Sequence, residues 1–127
     1  MRVLETCLYA HNLETAEAFY RSLGFEFVSK MAGRHVFFRA GDAMLLIFNP
    51  TMSAMAGELP AHAGTPGSHV CFRVEQAEIP VWQARLEGMG VAVTPYEWSR
   101  GRGTSLYFHD PAGNLLEMAP AGIWGLA

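Results

Sequence analysis

The chain has 127 residues, half of them apolar and 17% charged, with a formal net charge of −3. That length fits one domain with a real core, and every apolar run is interrupted well before the roughly 18 to 20 residues a membrane span needs. Weak acidity with scattered basic residues lacks the cationic footprint of nucleic-acid binding, so neither DNA, RNA nor a membrane is an expected partner.

Met1-Arg2 leads straight into an alternating pattern, unlike a secretory leader, and a cytoplasmic chain is expected. From Val3 to Ala10 the alternation predicts a strand, with Leu4, Leu8 and Ala10 toward a core and Glu5, Cys7 and Tyr9 opposite. Asn12 offers a helix cap. Leu13, Ala16, Phe19, Tyr20 and Leu23 recur at helical spacing, and Gly24 is placed to end the helix in the left-handed conformation. Strands follow over Phe25 to Ser29, His35 to Arg39 and, after a Gly41-Asp42 turn, Ala43 to Phe48. Asn49 to Gly67 has no periodicity and reads as a connecting loop, a candidate cover.

The order then repeats. Ser68 to Val74 alternates, with Val70, Phe72 and Val74 toward the core and His69, Cys71 and Arg73 opposite. A helix is expected over Ile79 to Glu87, burying Trp82, Leu86 and Met89 and closed by Gly88 and Gly90. Val91 to Tyr96, Thr104 to His109 and Leu115 to Ala119 are the later strands, the last two joined by an Asp110-Pro111-Ala112-Gly113 turn. Cys7 and Cys71 form no CxxC pair and are expected as free thiols.

The fold class is therefore α+β, two β-α-β-β-β modules forming a sheet-lined cup. It is one domain: a first module to about residue 49, a loop over 50–67, a second module over 68–120 and a tail over 121–127. Superposing the halves pairs Leu23-Gly24-Phe25 with Met89-Gly90-Val91, Arg39 with His109, His35 with Ser105, Glu5 with His69, and Leu45 with Glu117.

Three of four equivalent corners thus carry metal-binding groups, Glu5, His69 and Glu117. Carboxylate and imidazole donors suit a divalent ion such as Zn, Ni, Fe, Mn or Co. Each residue alone has a plainer explanation: a half-exposed Glu5, a hydrogen-bonded core His69, and Glu117 paired with an arginine such as Arg73. The coincidence of three under one internal symmetry favours the metal.

The segments LETAEAFYRSLGF (13–25), SHVCFRV (68–74) and above all YFHDPAGNLLEM (107–118) resemble the vicinal oxygen chelate superfamily of glyoxalase I, fosfomycin-resistance proteins, extradiol dioxygenases and bleomycin-resistance proteins. The resemblance covers nearly the whole chain. It implies that Glu5, His69 and Glu117 are metal ligands, with Leu45 at a fourth position where glyoxalase I-like enzymes have a carboxylate. It also implies a homodimer whose subunits share the site. Two departures stand out, Leu45 and a Glu where His is usual at position 5.

Around this site Ser105 and Tyr107 resemble substrate-contacting positions of fosfomycin-resistance proteins. Tyr107 is a candidate acid and His35 a candidate base, alongside the carboxylates of Glu5 and Glu117. Arg100 and Arg102, in the Gly-rich Ser99 to Gly103 loop, are candidates to clamp an anion. Phe37, Phe48, Tyr9, Trp98 and Trp124 are candidates to line an aromatic pocket. The expected function is a metal-dependent enzyme, with the metal as Lewis acid on a small substrate offering two oxygens, of isomerase, lyase, dioxygenase or transferase type. The alternatives are a non-enzymatic drug- or metabolite-binding protein and a purely structural dimer module.

Overall fold

The computed structural model describes all of residues 1–127. Its contacts divide the chain into two compact units, Met1–Ser68 with Asp110–Asn114, and His69–His109 with Leu115–Ala127.

The first unit begins with β1 (Glu5–Tyr9) and α1 (Leu13–Leu23). The helix starts where Asn12 accepts from the Thr15 amide and ends at Gly24, whose φ of 98° is the left-handed turn that glycine adopts without a side-chain clash. Strands β2 (Glu26–Met31), β3 (His35–Ala40) and β4 (Ala43–Phe48) follow, giving the sheet order β1-β4-β3-β2 with β1 and β4 parallel. Ala16, Tyr20 and Leu23 of α1 meet the face of the sheet made by Leu8, Val36, Phe38, Leu45 and Ile47, all buried. Leu4, expected in that core, precedes the strand and is 72% exposed. The connecting loop carries one turn of helix, α2 (Pro50–Ser53), capped by Asn49 with proline in the first turn.

The second unit repeats the plan. β5 (His69–Arg73), a 3-10 turn at Gln76–Glu78, α3 (Ile79–Gly88), β6 (Thr94–Trp98), β7 (Gly103–His109) and β8 (Leu115–Ala119) give the sheet order β5-β8-β7-β6, again with the first and last strands, β5 and β8, parallel. Ile79 and Leu86 are the buried residues of α3, while Trp82 and Met89 are only half-buried. β6 starts three residues later than the alternation of Val91 and Val93 predicts, because its pairing with β7 runs from Thr94–Tyr107 to Trp98–Gly103.

The register corrects one expected equivalence. Glu5 lies opposite Met44 and Cys7 opposite Leu46, while His69 lies opposite Leu115 and Cys71 opposite Glu117. With Glu5 matched to His69, the counterpart of Glu117 is Leu46, not Leu45. Leu45 corresponds to Leu116, and both point into the core with 0% exposure. The sequence superposition slips by one residue because an apolar tetrad, Met44 to Ile47, offers no polar residue to mark which face is which.

The Asp110 turn joins β7 to β8 but belongs to the first unit. Tyr20 donates to Asp110 Oδ2 at 2.6 Å, and Asn114 Nδ2 donates both to that oxygen at 2.9 Å and to the Tyr9 carbonyl at 3.0 Å. The amides of Ala112 and Asn114 fill Asp110 Oδ1, each at 2.9 Å, and Gly67 N–H reaches Asn114 Oδ1 at 3.1 Å. A buried carboxylate is tolerable only with such a full set of donors. The motif that carries the resemblance is thus a structural knot. Burial, then the Asp110 charge, push the Tyr20 hydroxyl far above its ordinary range.

Candidate functional site

In the second unit, alternation places His69 and Cys71 of β5, Glu117 of β8, and Ser105 and Tyr107 of β7 on the sheet face turned away from the buried Leu106, Phe108, Leu116 and Met118. The pairing brings Tyr107 and Cys71 directly opposite Glu117 from its two sides. Glu117 is 6% exposed, and its carboxylate accepts from Ser105 Oγ at 2.5 Å, with the Cys71 thiol and Tyr107 hydroxyl beside it. Trp98, at the end of β6, donates its indole N–H to Ser105 Oγ at 2.8 Å and so fixes the hydroxyl that serves Glu117.

His69 completes the group. Its Nδ1 lies 3.0 Å from the Leu115 carbonyl, which can only accept, so Nδ1 carries a proton. Nε2 then faces Glu117 Oε2 at 3.2 Å. In neutral imidazole that places two lone pairs face to face, which is repulsive unless a proton on Nε2 or a cation lies between them. A ring nitrogen beside a carboxylate, with the opposite N–H held by a carbonyl, is the donor set that a divalent ion uses at protein sites. The residues therefore fit two ligands of such an ion. Glu5 stands exposed on β1 of the first unit, and no three His, Cys, Asp or Glu side chains of the single chain gather into a ligand group. Arg73 makes no ion pair with Glu117, and the basic side chain within reach of that carboxylate is His69.

The carboxylate sets the state of its neighbours. Burial, then Glu117, push the Cys71 thiol up to about 12; although the residue is largely open to solvent, the sulfur stays a neutral donor rather than a nucleophilic thiolate. Burial, then Glu117, also raise the Tyr107 hydroxyl, so Tyr107 keeps its proton at neutral pH. Tyr107 and His69 rings stack with centroids 6.4 Å apart.

The corresponding face of the first sheet is aromatic. His35 stacks on Phe37 with centroids 4.0 Å apart and meets Phe48 edge-on at 5.7 Å. Its imidazole is held below its usual range by burial, then by Arg34, and its buried Nδ1 has no hydrogen-bond partner. His62, from the aperiodic loop, sits edge-on over Phe48 at 4.5 Å and is held by the Tyr9 hydroxyl at 2.9 Å. Nothing local in the sequence marks His62, because a residue in a loop is placed only by what the loop packs on. Arg100 is exposed, and Arg102 lines a separate cleft of the second unit with Trp98 and Trp124. The closeness of Cys71 to Glu117 was in principle readable, since both lie on one face of paired strands.

Among solved structures, lactoylglutathione lyase from Agrobacterium tumefaciens superposes with a TM-score of 0.94, at 39% identity over 98% of this chain and 97% of that one. A variant of the fosfomycin resistance protein FosX of Listeria monocytogenes, solved with Mn(II) and 1S,2S-dihydroxypropylphosphonic acid, has a TM-score of 0.69 at 19% identity, covering 93% of this chain and 87% of that one, and shares the fold. Among curated proteins, the metallothiol transferase FosB of Bacillus licheniformis is 29% identical over 58 residues, which are 45% of this chain and 38% of that protein. The model of the Glyoxalase/Bleomycin resistance protein/Dioxygenase superfamily matches residues 2–118, and the chain belongs to that superfamily.

Proposed function

We propose that this chain is a divalent-metal-dependent enzyme of lyase or isomerase type, acting on a small substrate that presents two neighbouring oxygens. His69 and Glu117 would hold the ion, with Glu5 as third ligand, and the site would be shared between the subunits of a homodimer of single-domain chains. The observation that carries this reading is His69 Nε2 facing Glu117 Oε2 at 3.2 Å while Nδ1–H is committed to the Leu115 carbonyl. The solved relative at 39% identity is a lactoylglutathione lyase, which favours lyase chemistry within the family.

When bound, the ion would supply Lewis-acid stabilisation of an oxyanion. The chain's own residues do the rest. Ser105 orients the Glu117 carboxylate, and Trp98 orients Ser105. Tyr107, kept protonated, offers its hydroxyl as a proton donor at the substrate. His35, kept neutral among rings, offers a base on the first sheet. Zn, Ni, Fe, Mn and Co all suit one imidazole with carboxylates.

The test is metal uptake. Protein stripped with chelator and offered Zn, Ni, Mn, Fe or Co in turn takes up one ion per chain. Glu117→Gln, with an unchanged far-UV circular dichroism spectrum, weakens uptake by more than the roughly 10- to 100-fold that loss of an outer partner costs. If no ion is taken up stoichiometrically, the enzymatic reading is abandoned.

A second reading is a drug- or metabolite-binding protein without metal. Leu46 at the fourth corner and the aromatic face of His35, Phe37 and Phe48 favour it, and a proton on His69 Nε2 would satisfy Glu117. It predicts ligand-induced thermal stabilisation in chelator-treated protein with no turnover.

A further inference from the structure

We propose that the cleft between the C-terminal turn and the Trp98–Gly103 loop of the second unit is a subsite for the anionic end of a compact organic acid, carboxylate or phosphonate, with Arg102 as its counter-charge. This deepens the enzymatic reading, on which it rests only for calling the occupant a substrate.

The cleft holds about 270 Å³ and is lined by Trp98, Arg102, Ile123, Trp124 and Gly125. That lies just under the ~300–1,000 Å³ of common ligand pockets, so it suits a small molecule. The guanidinium of Arg102 takes part in none of the chain's ion pairs or side-chain hydrogen bonds. An arginine without a protein partner offers a planar fork that matches two oxygens of one anion. No acidic residue lines the cleft to compete. Its neighbour, about 190 Å³, shares Ile123 and Trp124 and has Arg73 on its rim, again with no acidic residue. Trp124 therefore stands between two cations that have no counter-ion.

The walls suit an apolar or planar body behind the anion. Trp98 has already given its N–H to Ser105, which leaves the ring face. Trp124 is 78% exposed over the buried Ile123. The same Trp98 links the cleft to Glu117 through two hydrogen bonds, 2.8 Å to Ser105 and 2.5 Å onward.

The frame is rigid. A Cβ on Gly122 would sit 2.6 Å from the Arg102 carbonyl, and one on Gly103 would sit 2.5 Å from Pro120 Cγ. The turn thus packs its backbone on the Arg102 carbonyl, and the Pro120 ring packs on the loop at Gly103. Arg100, just before, is the chain's one non-glycine residue with positive φ, at 61°, a strained state that persists only where surroundings impose it.

The experiment titrates chelator-treated protein with phenylacetate, phenylphosphonate and the neutral phenylacetamide, reading tryptophan fluorescence, since two of the three tryptophans line the cleft. Both anions should quench saturably, the tighter one identifying the head group, and the amide should bind on the order of 10-fold more weakly. Arg102→Gln should bring the anions to the level of the amide, and Arg102→Lys should fall between; unchanged melting temperatures exclude a folding effect. Equal binding of anion and amide, or full binding by Arg102→Gln, overturns the subsite. Charge-dependent binding without metal uptake keeps the subsite and removes the enzymatic reading; metal uptake with charge-blind binding does the reverse.

Discussion

The two sheets have the same strand order and the same parallel pairing of first with last strand, yet their helix-averted faces are chemically opposite. Where the second sheet has Glu117, Tyr107 and Ser105, the first has Leu46, Phe37 and His35. The helices differ in the same way. Counting back from the paired Gly24 and Gly90, Tyr20 of α1 corresponds to Leu86 of α3, both 0% exposed. Glu17, ion-paired to Arg21 and Lys30, corresponds to Gln83, which bonds Glu87. A backbone plan can be kept while its polar groups change, provided each buried charge brings its donors with it. Glu117 has His69 and Ser105, with Cys71 and Tyr107 beside it; the equivalent Phe37 and Phe48 rings pack edge to face and need no donors.

The sharpest way to break this contrast is Leu46→Glu. The first sheet has Phe37 where Tyr107 would donate, so the new carboxylate is buried without partners and should cost on the order of 3 kcal/mol at neutral pH by urea denaturation. Part of that loss should return on acidification, which neutralises the group. Adding Phe37→Tyr should recover a measurable share, since it supplies the missing donor. A cost under about 0.5 kcal/mol, the range of an ordinary surface change, would mean the face does not need its donors.

Tyr20→Phe is next. It removes the 2.6 Å bond to the buried Asp110, worth roughly 1.5–3 kcal/mol for a charged acceptor. The pH dependence follows from the raised hydroxyl. Below the unfolded-state value of about 10, both states are protonated and the contribution is intact. Above it the unfolded state ionises first, so wild-type stability falls as pH rises. Equilibrium unfolding between pH 8 and 11 should show a shallower decline in Tyr20→Phe; an equal slope would show that Tyr20 is not what couples alkali to unfolding.

Glu17→Gln should have the smallest effect, because Arg21 and Lys30 are half-exposed and such pairs contribute roughly 0.2–1 kcal/mol. The Lys30 hydrogen bond, ahead of Arg21, holds the Glu17 carboxyl below its usual range. Its contribution is therefore present above the unfolded carboxylate pKa of about 4.3 and lost as pH falls below it. The difference between wild type and variant in thermal melts should shrink as pH falls from about 5 through the lowered native value; a difference that does not change with pH would assign it to packing.

Parts of the fold were legible because their signals are local. Helix α1 and strands β4 and β8 run over the residues their patterns mark, since Asn12, Gly24 and the alternations act within a few residues. The start of β6 was not, because Val91 and Val93 mimic an alternating strand whose extent is decided by pairing with β7. In the candidate site, the nearness of His69, Ser105, Tyr107 and Glu117 follows from face alternation once the strands are paired. His62 over Phe48 has no such precursor in the chain.

The sequence by itself determined the duplicated β-α-β-β-β order and which side chains share a face, because periodicity and caps are properties of neighbouring residues. Only the tertiary structure decided that Leu46 is the counterpart of Glu117, that the Asp110 turn serves as a buried knot for Tyr20, and that Trp98 reaches Glu117 through Ser105. Each depends on the register between strands distant in the chain, and a shift of one residue turns every side chain to the opposite face.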